Sequence, residues 1–159
     1  MKAILAIAVM TACAGLGIVS HAHAGGSAIT TPGAACVLQG SQAQDDQQAL
    51  QLNQQGAANG DPQREITIVC PVVRSSEGGT LGIFVDGIEG DGDAHVFCRV
   101  QSRSIRGEFL AQKTFTTTKS PFSIPSLFTF GEAPVFSYQT VICELPPKAR
   151  IHGITALEK

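Results

Sequence analysis

Glu65-Ile66-Thr67-Ile68-Val69-Cys70-Pro71-Val72 alternates side chains over the length of one β-strand, and Cys70 falls in step with Ile66, Ile68 and Val72. The pattern recurs twice downstream. In His95-Val96-Phe97-Cys98-Arg99-Val100 the cysteine shares a face with Val96 and Val100. In Gln139-Thr140-Val141-Ile142-Cys143-Glu144-Leu145 it lies with Val141 and Leu145. A period of two therefore sets three cysteines on the apolar side of three strands, where a bridge pins neighbouring strands or facing sheets.

Outward from these segments, strands are expected near 65–73, 80–88, 94–103, 108–118, 122–130, 135–145 and 150–158. Gly78-Gly79, Gly90-Asp91-Gly92-Asp93, Arg106-Gly107 and Pro146-Pro147 punctuate them. No window from 65 to 159 carries a sustained helical stripe. The pattern predicts an all-β fold, an antiparallel β-sandwich of about eight strands, with a jelly roll as one arrangement. The 8 phenylalanines lie in or beside these strands and are expected mainly to fill the core or the sheets. Residues 39–63 are rich in Gln and Asn; Leu50 and Leu52 alternate with Gln, which reads as a short strand, while Asp45 to Leu52 also reads as a helical turn. Low-complexity disorder is the third reading of that stretch.

The start of the chain has the grammar of an export signal. Met1-Lys2 is a minimal basic region, Ala3 to Val19 is apolar and uncharged, and Ala22-His23-Ala24 offers small residues for cleavage before Gly25. The apolar run is just short of a bilayer span and carries Gly15 and Gly17, which disfavours an anchor. Lipidation at Cys13 is disfavoured by Met10 and by apolar sequence continuing past it. The expected organisation is a cleaved signal peptide over 1–24, a flexible segment over 25–35 and one domain over 36–159. No later segment is apolar enough for a transmembrane helix. Such a protein is secreted or periplasmic.

Export leaves Cys36, Cys70, Cys98 and Cys143, an even set in an oxidising compartment. Three pairings exist. Cys36–Cys70 with Cys98–Cys143 is preferred, because it ties the N-terminal segment to the first clear strand and joins two core strands. On the loop-entropy model each bridge is worth roughly 4 kcal/mol. Zinc is disfavoured, since no CxxC occurs and the cysteines are scattered singly.

Taken together, Cys36 with Gln39-Gly40-Ser41, Ile68-Val69-Cys70-Pro71-Val72-Val73-Arg74, Val96-Phe97-Cys98 with Ser102, and Ile142-Cys143-Glu144-Leu145-Pro146-Pro147 leading to Arg150-Ile151-His152-Gly153-Ile154 resemble a group of short secreted bacterial proteins with four cysteines and no assigned activity. The likeness spans most of the chain after the signal, and its motifs are structural. It implies export, two disulfides and a β-sandwich, and carries over no catalytic or binding residue.

The charge balance of 11 Lys+Arg against 13 Asp+Glu excludes a broadly basic nucleic-acid binder. With no Trp, and both Met residues in the signal, the domain builds neither a tryptophan platform nor a Met-rich groove. Asp86, Glu89, Asp91 and Asp93 crowd a Gly-rich loop whose oxygens suit calcium, although the EF-hand register is not met. The plain alternative is a solvated hairpin loop. Apart from calcium, no cofactor is indicated. Arg99, Arg103 and Arg106 form a small basic group that, beside the acidic loop, offers a surface to an extracellular or envelope partner. There is no G-x-S-x-G, H-E-x-x-H or P-loop. The leading reading is a secreted, non-catalytic binding or structural module. The alternative is a small extracellular hydrolase built around His95 or His152; it requires a histidine nitrogen bonded to both a hydroxyl and a carboxylate within a cleft.

Overall fold

Along Ile66–Pro71 the expected alternation is realised: Ile66, Ile68 and Cys70 are buried, and Thr67 and Val69 are half-buried. The computed structural model describes residues 27–39, 44–75, 80–90 and 94–159. The predicted export signal over 1–24, with Cys13, lies outside them. In chain order the elements are β1 (Ala28–Pro32), a 3-10 turn (Gly33–Ala35), β2 (Val37–Leu38), α1 (Gln44–Ala49), β3 (Leu50–Asn53), β4 (Gly56–Asn59), β5 (Ile66–Pro71), β6 (Leu81–Ile88), β7 (Phe97–Ser104), β8 (Phe109–Thr116), β9 (Phe122–Phe128), β10 (Ser137–Leu145) and β11 (Arg150–Glu158).

The strands form two sheets. The front sheet runs β3-β4-β11-β6-β9, with β1 also paired to β11; the back sheet runs β2-β5-β10-β7-β8. All pairings are antiparallel. Four of them nest: β7 with β8, β6 with β9, β5 with β10, β4 with β11. A double ribbon that folds over itself in this way is a jelly roll. Between the sheets lie the fully buried side chains of Ile68, Leu81, Ile83, Val85, Val100, Val141, Ile151 and Ile154.

Both disulfides are the expected ones, Cys36–Cys70 and Cys98–Cys143. Each pins neighbouring strands of the back sheet rather than one sheet to the other. Cys98 stands directly opposite Cys143, and Cys36 immediately precedes β2, whose Val37 pairs with Val69 of β5. Their sequence separations of 34 and 45 residues give each roughly 4 kcal/mol of stabilisation through the unfolded chain.

The N-terminal part of the domain departs from expectation. Residues 28–32, expected to be flexible, form β1, with five successive partners from Gly153 to Leu157 on β11. The domain thus begins before residue 36. Ala-Ile-Thr-Thr-Pro lacks an apolar alternation of its own and becomes a strand because β11 offers it a ladder; its alternation survives as a buried Thr31 and a half-buried Ile29. Within 39–63 the helical turn expected over Asp45 to Leu52 stops at Ala49, Leu50 and Leu52 lie in the short strand β3 that follows α1, and β4 adds a strand with no sequence signature. Gly56 enters β4 at φ +122°, and a Cβ there would lie 2.0 Å from the Ile151 carbonyl oxygen, so glycine is required twice over. The buried Asn59 donates through Nδ2 to the carbonyls of Arg64 (2.7 Å) and Leu145 (2.8 Å), fixing the passage from front to back sheet.

Candidate functional site

Period-two geometry decides what the front sheet shows to solvent. On β6, Leu81, Ile83 and Val85 point inward, so Gly82, Phe84, Asp86 and Ile88 face out. On β9, Ser123, Pro125 and Leu127 face out against the inward Phe122, Ser126 and Phe128. Strand register arranges these in rows across the sheet. One row is Ala28, Leu157, Gly82 and Leu127; the next is Thr30, Thr155, Phe84 and Pro125; the third is Pro32, Gly153, Asp86 and Ser123.

Gly82 breaks the first row. Without a side chain between Leu157 and Leu127, a depression of about 340 Å³ opens, lined by Thr80, Gly82, Phe84, Leu127, Leu157 and Lys159. The Phe84 ring forms its wall: a Cβ on Gly82 would lie 3.3 Å from Phe84 Cε2 and 3.4 Å from Leu127 Cδ2. Leu127 is 63% exposed. The neighbouring rows supply polar groups, with the hydroxyls of Thr30 and Thr155 joined at 2.9 Å and Asp86 beside Ser123. Further along β11, a more open depression of about 540 Å³ is lined by Gln54, Gln55, Arg150 and His152. Arg150 Nη1 donates to Gln55 Oε1 there, while Arg150 Nε is buried without a partner. At about 3.3 Å per residue the two depressions lie roughly 20 Å apart. The face is therefore apolar around a ring at one end and rich in hydrogen-bonding groups at the other.

The candidate residues singled out in the sequence are dispersed by the fold. Asp86 belongs to the outer front face, whereas Glu89, just beyond β6, is already engaged. Thr117 Oγ1 donates to Glu89 Oε1, and His95 Nδ1 lies 2.9 Å from the same oxygen. The Thr117 hydroxyl, and after it His95, holds the Glu89 carboxyl below the ordinary range. Asp91 and Asp93 lie outside the described residues, and among the described residues no group of three or more metal-ligating side chains converges. Arg99 and Arg103 do share the outer face of β7, with Arg99 Nη2 4.0 Å from Glu144 Oε1 and Arg103 Nη1 donating to the Gly107 carbonyl at 3.0 Å. Arg106 sits at the β7–β8 turn. These arginines belong to the back sheet and Asp86 to the outer front face, so the joint acidic-and-basic surface expected from sequence proximity does not form around Asp86.

Neither histidine completes a hydrolytic set among the described residues. His95 is exposed and bonds a carboxylate but no hydroxyl, and His152, exposed at an irregularity of β11 beside Gly153, bonds neither. The phenylalanines also divide differently from expectation. Phe122 and Phe128 are core, but Phe84 faces outward and Phe109, Phe130 and Phe136 are exposed. Parity with Ile83 and Val85 was the available signal for Phe84.

No family model matches the chain, and a search of curated proteins finds no match. Solved structures do resemble it. A xylan-binding module, CBM15, aligns over 84% of this chain and 97% of its own with a TM-score of 0.51 at 10% identity. The C-terminal CBM6 of LamC, a laminarinase from Zobellia galactanivorans, aligns over 83% of this chain and all of its own with a TM-score of 0.43 at 14% identity. At this identity the first of these bears on the fold, and it agrees with the two-sheet β-sandwich described above.

Proposed function

We propose that this chain is a non-catalytic binding module acting outside the cytoplasm, and that it takes a neutral carbohydrate on the outer face of its front sheet. The observation that carries the reading is the depression at Gly82, walled by an outward phenylalanine ring, with the Thr155 hydroxyl in the adjacent row and the Asp86 carboxylate in the row beyond it. A pyranose has the complementary form, an apolar C–H face for Phe84 and Leu127 and a rim of hydroxyls for Asp86, Ser123 and Thr155. The xylan-binding module that shares the fold supplies the first ligand class to try, xylan. The two disulfides and the export signal read from the sequence support a secreted or periplasmic setting. Among the described residues no helix is long and apolar enough to cross a membrane.

The test is isothermal titration with xylo-oligosaccharides, alongside affinity electrophoresis in gels containing xylan, mannan or a β-glucan. Binding to one of these, lost at least tenfold in Phe84→Ala at an unchanged melting temperature, is the expected result. Absence of binding to every polymer, or a Phe84→Ala variant that binds as well as the parent, overturns the reading.

A further inference from the structure

Exposed apolar side chains are unevenly placed on this molecule. Among the described residues, Val37 and Leu52 sit on edge strands and Leu127 borders the depression at Gly82; the other large exposed apolar residues gather at one end of the sandwich. That end is where Ser137 pairs with Ser104, Leu81 pairs with Phe128, and the Val72 amide donates to the Gln139 carbonyl. Val73 leaves β5 there, Ile105 tips the β7–β8 turn, Phe109 opens β8, Phe130 and Phe136 stand on the β9–β10 connection and Tyr138 is the second residue of β10. Ile105 is 74% and Phe136 78% exposed, more than any other large apolar residue described.

The turns that carry them are firmly held, so the exposure is built in. Arg74 Nη1 donates to the carbonyls of Ala133 and Pro134, both at 3.2 Å, and Lys113 Nζ reaches Glu132 Oε1 at 2.6 Å. In the β7–β8 turn the Ser104 hydroxyl accepts from the amides of Arg106 and Glu108, both at 3.2 Å. Apolar residues offered from separate turns make a set of protruding tips rather than a groove. Basic groups stand beside them: among the described residues at this end Arg103 and Arg106 outnumber Glu108, while Glu132 is neutralised by Lys113 and Glu158 by Arg74. Large exposed apolar side chains gathered at one end in this way mark a contact with a partner or a membrane. Protruding aromatic and aliphatic tips with flanking cations match the chemistry of a bilayer interface, where rings sit at headgroup level and guanidinium groups meet lipid phosphate.

We propose that this end of the sandwich docks on an anionic lipid bilayer, with Ile105, Phe130 and Phe136 entering the headgroup boundary and Arg106, with Arg103, meeting phosphate. It adjoins the apolar end of the front-sheet face, where the Gly82–Leu127 pair follows Leu81–Phe128, but it is carried by other residues, and the variants that test it leave Gly82, Phe84 and Leu127 unchanged. The test is sedimentation of the full chain with vesicles of phosphatidylcholine alone and of an equal mixture of phosphatidylcholine and phosphatidylglycerol. Binding to the mixed vesicles that weakens with salt is expected. Ile105→Ser with Phe136→Ser should lower it tenfold or more at an unchanged melting temperature, and Arg106→Gln should lower it about fivefold on mixed vesicles only. Failure to bind either vesicle overturns the proposal, as does undiminished binding by the Ile105→Ser, Phe136→Ser variant. A dimer in sedimentation velocity that Phe136→Ser dissolves, without vesicle binding, would assign the surface to a second copy instead.

Discussion

Replacing Gly82 with valine separates ligand binding from folding. Gly82 is an outward strand position, where a β-branched side chain restricts the unfolded chain and gains up to about 1 kcal/mol over glycine. Against this, its Cβ would sit 3.3 Å from Phe84 Cε2 and 3.4 Å from Leu127 Cδ2. Both are side-chain ends, one of them on a residue 63% exposed, and can retreat by a few tenths of an ångström. The two effects oppose each other, so the melting temperature should move by only a few degrees. Binding should respond differently. A sugar ring seated on Phe84 and Leu127 covers on the order of 60 Å² of apolar surface, worth about 1.5 kcal/mol at ~25 cal/mol per Å². Valine occupies the space that ring needs, so the dissociation constant should rise roughly tenfold or more. Titration calorimetry on parent and variant, each checked by thermal melting, measures both quantities. An affinity within twofold of the parent at unchanged stability would refute the assignment of this depression as the seat of the ligand.

Other perturbations test the framework. Glu158→Gln leaves the Arg74 guanidinium without its partner where the two side chains are only 9% and 2% exposed, and should cost about 3 kcal/mol in urea denaturation, much of it recovered in the Arg74→Met, Glu158→Leu double variant. Replacing Cys98 and Cys143 together by alanine should remove roughly 4 kcal/mol, read as a lower urea midpoint; a change below about 1 kcal/mol would mean that the unfolded chain is compact without the bridge. Lys113, and after it the Thr129 amide, draws the Glu132 carboxyl from 4.5 to about 2. Because the folded value is the lower one, its contribution is complete above pH 4.5 and disappears as pH falls towards 2; Glu132→Gln should flatten acid destabilisation across that interval, seen in urea midpoints against pH.

The central strands were legible because each buries one face: Cys70, Cys98 and Cys143 announce the inward parity of β5, β7 and β10, and with it which side of the back sheet is core. The same parity, applied to Ile83 and Val85, places Phe84 and Asp86 outside. What sequence proximity misjudged is the crossing between sheets. Asp86 and Arg99 are close in the chain, but β6 and β7 belong to different layers of the roll, so their outward side chains diverge. Strands β1 and β4 were illegible for another reason. Ala28–Pro32 and Gly56–Asn59 are small or polar, and they exist through the ladders their neighbours lend them, β11 for the first and β3 with β11 for the second. Gly82 carried only the generic meaning of a glycine within a strand, a place where something approaches closely.

The pairing of β1 with β11 also sets how the domain bears tension. Ala28 and Leu157 are opposite one another at the same end of an antiparallel ladder. A pull applied on either side of the domain, through the chain before Ala28 and after Glu158, therefore opens that ladder like a zipper, one residue pair after another, instead of shearing all its hydrogen bonds at once. Peeling should begin at low force and strip the front sheet first. The bridges at Cys36–Cys70 and Cys98–Cys143 then act as stops, keeping the segments they enclose from extending however far the rest is drawn out. In force spectroscopy the oxidised domain should give a soft first event and a contour length short of that of the reduced chain by those two segments.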